Sequence, residues 1–101
     1  MRSLLVQYTL QAGTQDEWRK TIADFIANVN NEPELAGRFI YQVMEGKDDP
    51  TQKTHLISFI DDRAGDDIEA KPFLDGFRKA ISHFASGKQK VTPLTIIARS
   101  R

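Results

Sequence analysis

The sequence predicts an α+β domain built in the order β-α-β-β-α-β. Three observations lead there. Four segments alternate apolar and polar residues with period two. Two longer segments carry apolar residues at helical spacing. A short polar link joins the second and third alternating segments, as in an antiparallel hairpin.

The first strand is "SLLVQYTLQ". Leu4, Val6, Tyr8 and Leu10 share one face, and Ser3, Leu5, Gln7 and Thr9 share the other. "AGTQDEW" then starts a helix. Thr14 and Glu17 have the spacing of a capping box, and Asp16 lies where the helix dipole favours negative charge. Trp18, Ile22, Phe25, Ile26 and Val29 form its apolar stripe. Pro33, after "NVNNE", marks the break.

The second strand lies within "GRFIYQVMEG". Phe39, Tyr41 and Val43 face one way, and Ile40, Gln42 and Met44 the other. "GKDDPTQK" is a turn. In the third strand, "THLISFID", His55, Ile57 and Phe59 oppose Leu56, Ser58 and Ile60. The second helical stripe runs through Ala70, Phe73, Leu74, Phe77, Ala80, Ile81 and Phe84. Pro72 suits a first turn, so a short helical piece and a bend are expected before it. Gly87 is the expected C-cap, and "VTPLTIIARS" the fourth strand. Pro93 places that strand at an edge or a bulge.

This order is the ferredoxin-like arrangement: one antiparallel sheet with two helices on one face. The 101 residues fit one domain, 1–101. The open face carries Leu5, Ile40, Met44, Leu56 and Ile60 among Gln7, Thr9, Gln42 and Ser58. A homodimer packed sheet on sheet is the expected cover.

Charge balances at 14 basic and 14 acidic residues, which disfavours a nucleic-acid partner. There is no Cys, so disulfides, thiolate metal sites and a Cys nucleophile are excluded. A cytoplasmic location fits that composition. No segment has the roughly 20 apolar residues of a membrane span, and the N-terminal apolar stretch is short and polar for a signal peptide. The run "DDRAGDD" has four Asp, but its spacing is not that of a calcium loop and Arg63 interrupts it. It reads as a helix start capped by Asp66 or Asp67, with no metal expected.

"AGRFIYQVMEGKDDP" resembles the second strand and turn of antibiotic biosynthesis monooxygenase-like (ABM) domains, which are dimeric α/β barrels. Gly37, Tyr41, Val43 and "KDDP" carry the likeness. "LISFIDDRAG" resembles that family's third strand, with an aromatic, an acidic residue and a helix start. The resemblance implies a dimeric α/β barrel with a ligand pocket between helices and sheet. It implies a cofactor-independent oxidoreductase acting on an apolar or aromatic small molecule. The haem-degrading branch uses an Asn on strand one, a Trp ending strand three and a His on helix two. Strand one here has no Asn, Phe59 ends strand three, and "EAKPFLDGF" has no His. No cofactor is therefore expected; haem held by His55 or His83 is a third reading.

Tyr8, Tyr41 and His55 are the candidate catalytic residues. Histidine suits general base chemistry near neutral pH, and a Tyr hydroxyl can hydrogen-bond a phenolic substrate. Val6, Phe25, Phe59, Phe73 and Phe77 are the candidate substrate-binding walls. Core packing is the structural reading of the same aromatic residues. Arg78 and Lys79 are expected to face solvent, and Gly76 to permit close packing or ligand space. The alternative function is a non-catalytic barrel that binds a ligand or a protein partner.

Overall fold

The computed structural model describes residues 2–100. The elements are β1 (Arg2–Leu10), α1 (Gln15–Asn30), β2 (Phe39–Glu45), β3 (Gln52–Phe59), α2 (Asp62–Glu69), α3 (Pro72–Phe84) and β4 (Ala85–Thr95). The strands form one antiparallel sheet in the order β2-β3-β1-β4. That is the ferredoxin-like topology, with the second helical unit split in two.

Period two decides the core. Leu4, Val6, Tyr8 and Leu10 of β1 meet the helices, as do Phe39, Tyr41 and Val43 of β2 and His55, Ile57 and Phe59 of β3. The α1 stripe buries Trp18, Phe25 and Val29. The α3 stripe buries Leu74, Phe77, Ile81 and Phe84. Phe25 stacks on Phe77 at 3.8 Å between ring centroids and locks the two helices together. Leu35, in the turns after α1, is wholly buried beneath them. Gly37 has φ of +77° just before β2, a conformation that glycine adopts without a Cβ penalty.

Several local expectations change. Thr14 does precede α1, but its hydroxyl donates to the Gln11 carbonyl at 2.6 Å instead of capping the helix. The turn before α1 uses that hydroxyl. The acidic run does not start a helix at Asp66 or Asp67. Asp61 caps α2 by accepting from the Ala64 N–H at 2.8 Å, so Asp66 and Asp67 lie inside the helix. Pro72 then opens α3, and the bend falls at Ala70–Lys71. Ala70 lies outside the stripe and is exposed.

The fourth strand starts and ends earlier than expected. The Phe84 carbonyl accepts from Gln11 N–H at 2.7 Å, and Ala85 pairs at once with Leu10. Gly87 is therefore no helix cap. Residues 87–89 stand opposite Tyr8 alone, between the pairs Thr9–Ser86 and Gln7–Lys90. Gly87, at φ +82°, allows this bulge. Residues 96–100 are outside any strand. Pro93 does lie on an edge strand, opposite Leu4. Gly76 is not a close-packing device: a Cβ there would meet nothing within 4 Å.

Candidate functional site

The sheet register explains how the polar residues meet. Val6 and Val43 both lie opposite His55, from the two strands flanking β3. Tyr8 and Tyr41, each two residues further along, are its diagonal neighbours on the same face. Diagonal pairs are within reach of aromatic side chains. The Tyr8 hydroxyl is 2.7 Å from His55 Nε2, and the Tyr41 hydroxyl is 2.5 Å from His55 Nδ1. The Trp18 indole N–H donates to the Tyr8 hydroxyl at 2.8 Å. Trp18 comes from the first turn of α1, so helix and sheet share one polar thread.

Burial sets the protonation states. His55 is 1% exposed. Desolvation pushes its pKa down to about 4, so the imidazole is neutral at pH 7. Burial raises the Tyr8 phenol to about 12, an effect reduced by the Trp18 hydrogen bond. Burial also raises Tyr41 strongly; the Tyr8 charge adds to this and Arg78 opposes it. The thread is uncharged at neutral pH.

A cavity of about 420 Å³ opens between the sheet, α2 and α3. This is within the size range of small-molecule pockets. Of the candidate site residues, Val6, Tyr41, His55, Phe59 and Phe77 line it. Tyr8, Phe25 and Phe73 do not. Tyr8 sits behind His55 with its hydroxyl in the thread. Phe25 lies behind Phe77 and Phe73 packs edge-on against Phe25, so both support the wall without forming it. Leu4, Ile57, Ile68, Leu74 and Ile81 complete the apolar lining. His83 is exposed and does not reach the cavity.

The mouth is polar. Arg78 and Glu69 line it and pair at 2.6 and 3.2 Å. Gln89, from the β4 bulge, bonds Ser82 at 3.1 Å, and both also line the cavity. The expectation that Arg78 simply faces solvent is thus incomplete. Its side chain is half exposed, yet it borders the opening.

Lys53 was not foreseen. Its side chain is fully buried, donates to Glu45 at 2.7 Å, and places its ammonium 4.0 Å from the centroid of the Trp18 ring. Its parity with His55, two residues on, is the signal that marks it as inward-facing. The acidic run has a structural use instead. Arg38 binds Asp61 at 2.9 Å and Asp67 at 3.2 Å, tying β2 to α2. Among the described residues no group of three His, Cys, Asp or Glu is placed to hold a metal ion. None of the described helices is long and apolar enough to cross a membrane.

Neither a family model nor a curated protein matches the chain. Solved structures do. One described as an antibiotic biosynthesis monooxygenase aligns at TM-score 0.77 and 14% identity, over 97% of this chain and 100% of that one. SnoaB from Streptomyces nogalater, described as a cofactor-independent oxygenase, aligns at TM-score 0.72 and 16% identity, over 99% and 94%. Rv0793 from Mycobacterium tuberculosis aligns at TM-score 0.78 and 13% identity, over 99% and 98%. The chain has the ferredoxin-like fold of the antibiotic biosynthesis monooxygenase structures, over nearly its whole length.

Proposed function

We propose that this protein binds an aromatic small molecule between α3 and the sheet and oxidises it with dioxygen, using neither metal nor flavin. The observation that carries this reading is the cavity itself: aliphatic and aromatic walls around a buried His55–Tyr41 pair, with a polar mouth. The fold shared with a protein described as a cofactor-independent oxygenase supports it. Without a redox cofactor the substrate must supply every electron. A phenolic polycycle with a methylene between its rings can do so. One oxygen atom becomes the new carbonyl, and the other leaves as water with the two methylene hydrogens.

Oxygen uptake with a panel of quinols, phenols and ring-flanked methylene compounds tests the reading. Saturable uptake that falls on Phe77→Ala supports it. No saturable binding of any aromatic compound refutes it.

One observation favours a second reading, a non-catalytic binding module. Both nitrogens of His55 are engaged by tyrosines, and burial keeps the ring neutral, so His55 offers the cavity no free base. Tight binding without turnover across the panel would select it.

The protein is proposed to act as a homodimer through the open sheet face. Ile40, Met44 and Leu94 are exposed there, and Met44 is 45% exposed. Such a patch is a recognised interaction surface. Sedimentation of wild type and of Met44→Asp/Leu56→Asp tests it. A monomeric wild type would refute it.

A further inference from the structure

The polar thread has a direction, and the direction specifies what the cavity accepts. An indole N–H can only donate. Trp18 therefore starts the thread, and the Tyr8 oxygen accepts from it at 2.8 Å. The other partner of Tyr8 is His55 Nε2, at 2.7 Å. Were Nε2 to carry a hydrogen, the Tyr8 oxygen would face two donors. Its own buried hydrogen would then have no acceptor, because no other hydrogen bond of that hydroxyl exists among the described residues. Tyr8 thus donates to Nε2. A neutral imidazole with Nε2 accepting carries its hydrogen on Nδ1. Nδ1–H then donates to the Tyr41 oxygen, at 2.5 Å. The Tyr41 hydrogen is left over. Tyr41 lines the cavity, and His55 is its one hydroxyl partner among the described residues. The reverse direction fails at its far end, since it would require the indole to accept.

We infer that the thread Trp18→Tyr8→His55→Tyr41 ends in a free O–H donor in the cavity, which selects aromatic ligands that place an acceptor oxygen, a ketone carbonyl or a phenolate, against Tyr41. This rests on the reading of the cavity as a ligand site. A ligand alcohol at the same place accepts from Tyr41, but the aliphatic and aromatic walls give its own hydrogen no acceptor, and only the mouth, with Glu69, Ser82 and Gln89, has one. Trp18 and Tyr8 are positioning residues: they touch no ligand and act through the His55 tautomer. In the oxidation proposed above, Tyr41 would bond the oxygen of the ring anion.

The test uses three compounds of one shape, fluorene, 9-fluorenone and 9-fluorenol, titrated calorimetrically into the full chain. Nitrogen-15 NMR of His55 is recorded alongside. Wild type is expected to carry the hydrogen on Nδ1 and to bind the ketone about tenfold more tightly than the alcohol, since a site built to donate rejects a ligand whose polar group is left unpaired. Tyr41→Phe should bring the ketone-to-alcohol affinity ratio to about one, whatever its effect on fluorene. Tyr8→Phe, which removes the hydrogen fixing Nε2 as acceptor, should reduce the preference to roughly threefold or less and mix the tautomers. If Tyr8→Phe fails to fold, Tyr41→Phe and the wild-type tautomer decide. A hydrogen on Nε2 overturns the thread. Equal affinities for ketone and alcohol, with fluorene bound, overturn the selection. If none of the three binds, the binding reading falls and the ligand selection with it, while the tautomer still reports on the thread.

Discussion

Acidification should destabilise this protein through His55 before most carboxylates titrate. The His55 pKa is held down at about 4 by burial, against 6.5 for a free imidazole. Between those values the unfolded chain binds a proton that the folded one refuses. The contribution of neutral His55 is thus complete above pH 6.5 and is lost as pH falls towards 4. The full gap of 2.5 pH units corresponds to about 3 kcal/mol. Between pH 7 and pH 5 the loss is about 2 kcal/mol, since protonation of the unfolded imidazole is then nearly complete. For a chain of this length that lowers Tm by on the order of 10 °C.

The assay is urea unfolding of wild type and His55→Gln at pH 7, 6 and 5, at one fixed protein concentration. Gln offers a donor and an acceptor but does not titrate. His83 is present in both proteins, so subtraction removes it. Wild type should lose about 2 kcal/mol more than the variant over this range. Parallel pH dependences would refute the reasoning, as would a wild type that gains stability in acid.

Five further substitutions have outcomes set by local contacts. Glu45→Gln should destabilise, because it leaves the buried Lys53 ammonium without its carboxylate, but less than breaking a fully buried pair because Glu45 is 40% exposed. Lys53→Met should cost less than that, since Met keeps the contact with Trp18 and leaves Glu45 to water; chemical denaturation of both variants gives the order. Gly76→Ala should stabilise by roughly 0.5–1 kcal/mol, because the new Cβ meets nothing and the helix interior favours Ala. Gly46→Ala should destabilise by about 1–3 kcal/mol, because its Cβ would lie 2.6 Å from the Asp49 carbonyl oxygen and the turn backbone would have to move; thermal melts of the two variants should shift in opposite directions. Asp61→Ala should cost about 1–2 kcal/mol, through the lost cap of α2 and one Arg38 pair, with the loss measured by urea unfolding.

Much of the site's layout was legible in the chain. Period-two alternation placed Val6, Tyr8, Tyr41, His55 and Phe59 on one sheet face, and helical spacing turned Phe77 towards them. Parity says which face a residue joins. It does not say which residue on a neighbouring strand stands beside it. Helical spacing likewise turned Phe25 and Phe73 inward, so both read as cavity walls, but Phe25 stacks behind Phe77 and Phe73 packs edge-on against Phe25. Lys53 fell in the expected turn, one residue short of the expected strand, and only the longer β3 gives it the parity of His55 and brings Glu45 and Trp18 around it. The caps were ambiguous because a hydroxyl before a helix can bond the preceding turn instead, and because several acids lie near the start of α2. Thr14 turned to Gln11, and Asp61 took the place expected of Asp66 or Asp67.

By itself, then, the sequence determined the order of elements, the face of each strand and the apolar stripe of each helix, because these follow from periods local to the chain. Only the tertiary structure decided the register that sets His55 between Tyr8 and Tyr41, the bulge opposite Tyr8, and the cavity beside them. Register and cavity arise where distant segments meet, and no local period encodes that meeting.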